Sequence, residues 1–313
     1  MFFTVILIFC LALFIDGATD CANSVTGAVS SGTMTLRGAS RMSAVLSFFG
    51  CIVFCLFFPS VAENTVSAVS FPEEKALLCI SVSLFAVALW SFIAWLMALP
   101  TSEGHAIISA SAGAAAALGG TVNVPRVLFL LFSVIPAALI SAFFAWAGAK
   151  ITEKAMPGCN FKTPIIIFAA VASLFHGAQD GQKFIALALS SGAVPEGKMV
   201  PFLLLISFSM GIGTIFGRRI IEKMGGEMAV ADSRAALAAD GAGAAALALF
   251  TLLGIPASTT HVRMTALFGA ARAMKNKTDT SSFLLLICAW GATFPVSFLL
   301  AFLLSKLSIV MFL

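Results

Sequence analysis

The chain has 313 residues, of which 60% are hydrophobic and only 10% charged, with a mean hydropathy of +1.06. A soluble domain carries about 25% charged residues, so the composition excludes a soluble globular protein and points to an all-α polytopic membrane protein. The net charge of +4 is not gathered into a basic, aromatic-rich surface, which excludes nucleic acid as a partner, and the seven cysteines form no C-x-x-C pair, which excludes a clustered metal or disulfide framework.

Residues 2–15 are apolar but lack a basic leader and run straight into Asp16-Gly17-Ala18-Thr19-Asp20-Cys21-Ala22-Asn23-Ser24. They are expected to be the first half of a membrane helix rather than a cleaved leader. The polar stretch continues to Gly32 and predicts a broken helix over 2–32, unwound near 17–23. Irregular backbone of this kind must be buried in protein or line a cavity. Spans are expected over 42–58, stopped by Pro59, and over 76–99, with Glu63, Glu73 and Glu74 in the loop between them. Pro100-Thr101-Ser102-Glu103-Gly104-His105 then opens 106–120, a run of mostly Ala, Gly, Ser and Ile. Small residues allow close helix approach, and the run is short for a crossing, so a re-entrant hairpin is expected over 100–120. A full span over 128–149 follows, and the loop at 157–163 is the expected boundary between halves.

The second half follows the same plan. Phe175-His176-Gly177-Ala178-Gln179-Asp180-Gly181-Gln182-Lys183 interrupts an apolar region and predicts a second broken helix over 164–192. Spans are expected over 201–216, 235–253 and 283–304, with a polar loop at 217–233. Pro256-Ala257-Ser258-Thr259-Thr260-His261 opens a second hairpin over 256–271. Asp20 and Asp180 stand 160 apart (180 − 20), an offset shared by Gly17 with Gly177, Asp16 with His176, Asn23 with Lys183, and Ser30-Ser31-Gly32 with Ser190-Ser191-Gly192. The two Pro-led motifs stand 156 apart (256 − 100). The chain therefore reads as two repeats, 1–156 and 157–313. Lys and Arg favour cytoplasmic loops. Arg37 and Arg41 place the start of one span inside, whereas Arg218 and Arg219 place the end of its counterpart inside, together with the 217–233 loop. The repeats thus run in opposite directions, and paired breaks in inverted repeats point to a transporter binding site.

The chemistry follows from residue types. Pro-led helix starts leave backbone N–H groups unpaired, and the helix dipole makes such ends anion sites. Two of them facing each other, with the hydroxyls of Thr101, Ser102, Ser258, Thr259 and Thr260, would wrap a tetrahedral oxyanion; ordinary capping is the plainer role of each motif alone. Asp20 and Asp180 could hold a coupling cation and could also accept a hydrogen bond from a protonated anion. They would then favour phosphate, which carries P–OH groups, over sulfate, which does not. Asp20 with Asn23 offers oxygen ligands suited to sodium. Lys183 puts an ammonium beside Asp180 and would help hold the anion instead, so coupling is expected to lean toward protons. His105, His176 and His261 all fall in these motifs; His105 and His261 would brace the hairpins by hydrogen bonding, a proton-relay role being the alternative, and Glu103 and Asp240 are further buried acids with a structural role. A Ser258–His261–Asp180 hydrolase has the right inventory but leaves the second copy of each motif without a purpose.

These residues carry a family resemblance. G-A-T-D-C-A-N-S (17–24), F-H-G-A-Q-D-G-Q-K (175–183), P-T-S-E-G-H-A-I-I (100–108) and G-I-P-A-S-T-T-H-V (254–262) resemble, in order, the four signatures of the inorganic phosphate transporter (Pit-like) family. The second has the Lys-bearing form of bacterial proton-coupled members. Gln179 stands where the family usually has Asn, and Glu103 where small polar residues are usual. The resemblance implies a proton- or sodium-coupled phosphate symporter of the bacterial inner membrane. It places substrate and coupling-ion contacts at Asp20, Asn23, Asp180, Lys183, Thr101, Ser102, Ser258 and Thr259. The expected partners are inorganic phosphate, a coupling H+ or Na+ and the lipid bilayer. No cofactor or enzymatic role is expected, and a homo-oligomer is left open, as are another oxyanion or a metal–phosphate complex as cargo.

Overall fold

Lipid offers no partner for backbone polar groups, so a chain this apolar resolves into helices that satisfy themselves. The computed structural model describes residues 2–156, 158–189, 192, 194, 197–229 and 231–312. In chain order the helices are α1 (Phe2–Thr19), a 3-10 turn (Cys21–Val25), α2 (Thr26–Ser30), α3 (Leu36–Phe57), α4 (Ser60–Val66), α5 (Ala76–Leu96) and α6 (Glu103–Leu118). They continue with α7 (Val124–Phe132), α8 (Val134–Ala155), α9 (Lys162–Leu189), α10 (Met199–Ile215), α11 (Arg218–Lys223), α12 (Ser233–Leu252), α13 (Thr259–Ala273) and α14 (Thr280–Phe312). Two short strands, β1 (Val69–Ser70) and β2 (Thr121–Val122), pair antiparallel and tie the loop after α4 to the end of α6. Among the described residues six stretches are long and apolar enough to cross a bilayer, and α10 with α11 makes a seventh bent by 46°.

The packing exchanges partners between halves. α3 of the first half lies on α9 of the second, and α10 of the second lies on α1 of the first. In the same way α6 lies on α14 and α13 on α8. Glycines at matching positions make two of these crossings. A Cβ on Gly17 would stand 2.1 Å from the Met210 carbonyl oxygen of α10, and one on Gly177 would stand 2.1 Å from the Ser47 carbonyl oxygen of α3.

That use of glycine corrects one expectation. The first motif breaks its helix, with α1 passing into the 3-10 turn and then α2, but α9 runs unbroken from Lys162 to Leu189. Thr19, Asp20, Asn23 and Ser24 are poor helix formers that compete for backbone groups, whereas Gln179, Gln182 and Lys183 are good ones. Gly177 serves the approach of α3 rather than an unwound turn. Ser190 and Ser191 of the predicted repeat, and Pro157 of the predicted boundary, lie outside the described residues.

Where hairpins are expected over 100–120 and 256–271, each stretch instead holds one helix, α6 or α13, that starts inside the protein after a short non-helical arm. α6 is buried along almost its whole length by its Ala, Gly and Ser residues, and α13 likewise. α3 begins at Leu36, earlier than predicted, because the Thr35 hydroxyl caps it by accepting from the Gly38 N–H at 3.2 Å. The predicted loop 217–233 is also structured, through α11, a wide turn at Met224–Met228 and a bridge between Ala229 and Thr278.

Candidate functional site

Four segments converge at the centre: the break after α1, the arm and first turn of α6, the second half of α9, and the arm and first turn of α13. Asp16, Asp20, Asn23, Thr101, Ser102, Glu103, Gln179, Asp180, Lys183 and Thr259 are all buried there.

The two helix starts meet directly. Ser102 Oγ and Ser258 Oγ are 2.9 Å apart, at the N-cap positions of α6 and α13. Ser102 makes no cap within its own helix, since its hydroxyl is turned to the other half. Ser258 also lies 2.6 Å from His261 Nδ1. The Thr259 hydroxyl stands 3.1 Å from Asp20 Oδ2 and 3.3 Å from Asp180 Oδ2, so one proton serves either carboxylate. Thr260 reaches Asp20 Oδ1 and, at 2.8 Å, the Thr101 carbonyl. The paired aspartates and the paired helix starts therefore form one cluster.

The equivalent Asn23 and Lys183 each face their own aspartate. Asn23 Nδ2 donates to Asp20 Oδ1 at 3.1 Å. Lys183 Nζ donates to Asp180 Oδ1 at 2.7 Å and to the Ala257 carbonyl at 2.6 Å. A Cβ built on Gly104, in the first turn of α6, would stand 3.3 Å from Lys183 Nζ, so the ammonium lies close to both helix starts. His176 Nε2 lies 2.8 Å from Asp180 Oδ2. Gln179 works at the margin: it donates to Thr251 and the Ile255 carbonyl and accepts from the Ala257 N–H, holding the arm before α13. Glu103 accepts from Thr19 at 3.4 Å. His105 and His261 pack edge to face at 5.1 Å, with Phe294 and Trp290 behind them.

Three features went unassigned in the sequence. Asp16 is fully buried with no partner for either carboxylate oxygen among the described residues, and its ligand atoms fall with those of Asp20, His176 and Asp180 within 4.8 Å of one another. The offset pairing of Asp16 with His176 was the signal available. Gln182 accepts from the Val61 and Ala62 N–H groups at the start of α4, outside the central cluster. Arg263 forms a buried ion pair with Asp240 at 2.6 Å and donates to the Ser24 carbonyl at 2.8 Å, tying α12 and α13 to the break after α1. An arginine between Val262 and Met264 was its signal. At the 156-residue offset the first half has Leu84 and Ile107, both in the apolar core.

The cluster brings four carboxyl groups, Asp16, Asp20, Glu103 and Asp180, to one ammonium, Lys183. At an effective dielectric constant of 20, two unit like charges about 4 Å apart repel by about 4 kcal/mol. A narrow pocket reaches the cluster past Thr65, Ile108 and Leu130, ending on Ser102, Lys183 and Ser258. The Ser258–His261 contact has no carboxylate behind it, because Asp180 is engaged by Lys183 and His176 while the His261 ring stacks on Trp290 at 3.8 Å. A catalytic triad is therefore not assembled.

Comparison with known proteins identifies the family and the fold. The model of the phosphate transporter family matches residues 16–157 and 149–301. The chain is 28% identical over 317 residues to the probable low-affinity inorganic phosphate transporter of Bacillus subtilis, covering 94% of this chain and 93% of that one. It is also 28% identical over 311 residues to a protein of the same description from Rhizobium meliloti, covering 92% and 90%. Among solved structures, a sodium-dependent phosphate transporter superposes with a TM-score of 0.83 over 100% of this chain and 99% of that one, at 18% identity.

Proposed function

The chain belongs to the phosphate transporter family, and from that premise we propose that it is a secondary carrier that moves inorganic phosphate together with a cation across a bacterial inner membrane. One observation carries the reading: the two halves each contribute a helix start and an aspartate to a single buried cluster, joined at Ser102–Ser258 and through Thr259. The N–H groups of the two first turns and the hydroxyls of Thr101, Ser102, Ser258 and Thr259 supply donors for an anion. Lys183 supplies the compensating charge. Asp20 and Asp180 accept hydrogen bonds from the P–OH groups.

Coupling follows from the charge count. Phosphate cannot occupy a cluster already rich in carboxylates unless protons or cations neutralise them, so the loaded carrier holds both or neither. Asp20 with Asn23 forms the oxygen-rich cation position. At Asp180 the ammonium of Lys183 takes the equivalent place, which leaves protons as the second coupling species. The halves form inverted repeats, 1–156 and 157–313. Rocking of one against the other separates Ser102 from Ser258 on either side and gives alternating access.

A second reading, a metal–phosphate complex as cargo, is favoured by the grouping of Asp16, Asp20, His176 and Asp180. Radiolabelled phosphate uptake into proteoliposomes tests both, with sodium gradient, proton gradient and divalent cation varied separately. Uptake driven by a proton gradient and competed by arsenate but not sulfate supports the first. Uptake abolished by chelating divalent cations supports the second. Uptake indifferent to every gradient overturns the coupled-carrier reading.

A further inference from the structure

The contact between equivalent helices of the two halves, α3 and α10, leaves a groove open to the bilayer. Its inner part is wholly apolar, lined by Ala44, Val45, Phe48, Phe208, Gly211 and Ile212. Its mouth is polar, lined by Thr35, Arg37, Ser40, Arg41, Arg218 and Glu222. Ile215 lines both parts, so they adjoin. The start of α3 thus lies beside the end of α10, and the two helices run antiparallel. The floor is low because Gly211 approaches the Ala44 carbonyl closely, with a built Cβ at 3.1 Å. Val45, Phe208 and Ile215 on its walls are more than half exposed.

The mouth has the chemistry of a phosphodiester clamp. Arg37 and Arg41 stand one turn apart on the same face of α3, and among the described residues neither pairs with a carboxylate. Arg218 gives Nε to Glu222 Oε1 at 2.8 Å and keeps its terminal N–H groups. Three guanidinium groups against one carboxylate leave a clear positive excess, and guanidinium matches phosphate oxygens two by two. The arginines mark the cytoplasmic face, where anionic lipid concentrates. From Arg37 to Phe48 the helix rises about 16 Å at 1.5 Å per residue, close to half of the ~30 Å hydrocarbon core. The mouth and the apolar part together therefore reach about as deep as one leaflet of hydrocarbon.

We propose that this groove seats one anionic phospholipid of the inner leaflet, its phosphodiester held by Arg37, Arg41 and Arg218 and one acyl chain laid between α3 and α10. The lipid then bridges the two halves at their mutual contact. Free inorganic phosphate shares the headgroup chemistry, but it has no use for the apolar continuation.

The test uses the full chain purified in mild detergent with phosphatidylglycerol and phosphatidylcholine supplied together, read by native mass spectrometry. Retention of one phosphatidylglycerol, several-fold preferred over phosphatidylcholine, is expected. Arg37→Gln/Arg41→Gln/Arg218→Gln should lose the preference while keeping the thermal midpoint. Val45→Trp, which fills the groove and leaves the mouth intact, should lose the retained lipid and serves alone if the triple variant does not fold. Equal retention of both lipids overturns the proposal, as does preference surviving in the triple variant. Displacement of the lipid by excess inorganic phosphate with Val45→Trp unaffected, or a second copy of the chain found in the groove by cross-linking from Val45→Cys, overturns it equally.

Discussion

Lys183→Asn converts the second motif into the form of the first, and the geometry sets the size of the effect. Asn23 Nδ2 and Lys183 Nζ occupy equivalent positions, 3.1 Å and 2.7 Å from Oδ1 of their aspartates. The substitution keeps a donor to Asp180 and removes a full positive charge. A sodium ion bound on the far side of that carboxylate, roughly 5 Å from the ammonium, would feel about 3 kcal/mol of repulsion at an effective dielectric constant of 20, roughly two hundredfold in affinity. The variant should therefore gain a sodium dependence of phosphate uptake that the wild type lacks at Asp180. It should also bind phosphate more weakly, because the ammonium close to both helix starts is gone. The removal takes the ammonium from Asp180, and breaking a buried pair costs about 3–5 kcal/mol, so thermal stability in detergent should fall and sodium should restore part of it. The assay is phosphate uptake into proteoliposomes against sodium concentration at a clamped pH gradient, with melting curves on the same preparations. A folded variant whose sodium response equals that of the wild type would refute the reasoning.

Further outcomes follow from the same contacts. Gly177→Ala sets a Cβ 2.1 Å from the Ser47 carbonyl oxygen; overpacking of this kind costs about 1–3 kcal/mol or more, so the melting midpoint should drop, while Gly291→Ala, with nothing within 4 Å, should leave it unchanged. Asp240→Leu or Arg263→Ile alone strands a buried charge and should cost about 3–5 kcal/mol. The double variant, which copies Leu84 and Ile107 of the first half, should recover most of that stability in a double-mutant melting cycle. Ser258→Ala removes the hydroxyl bonded to Ser102 and His261; at about 1–1.5 kcal/mol for a hydrogen bond, the half-saturation concentration for phosphate should rise roughly five- to tenfold with maximal uptake largely kept. Complete loss of uptake with substrate affinity retained would contradict the cradle.

The duplicated motifs made the site visible in the sequence. Asp20 and Asp180, and Ser102 and Ser258, fall at fixed offsets because each half supplies the same parts, and the structure brings each pair together. The state of α9 was not legible. Gly177 can either loosen a helix or admit a neighbour, and only the position of Ser47 on α3 decides it. The exchange of partners between halves, α3 on α9 and α10 on α1, is likewise absent from any local pattern, since both helices of each pair are simply apolar. Arg263 and Asp240 stand 23 residues apart, and only the side-by-side packing of α12 and α13 joins them. Asp16 was seen as a repeat match without a role, because its proximity to His176 depends on α1 and α9 converging from opposite halves.

The most direct test is a structure of the protein with arsenate as a heavier surrogate for phosphate, located by the anomalous signal of arsenic. The account predicts one peak between the first turns of α6 and α13, within contact of the Ser102 and Ser258 hydroxyls and close to Lys183. A well-occupied arsenic peak elsewhere in the membrane interior, with Ser102 and Ser258 still bonded to each other, would contradict it.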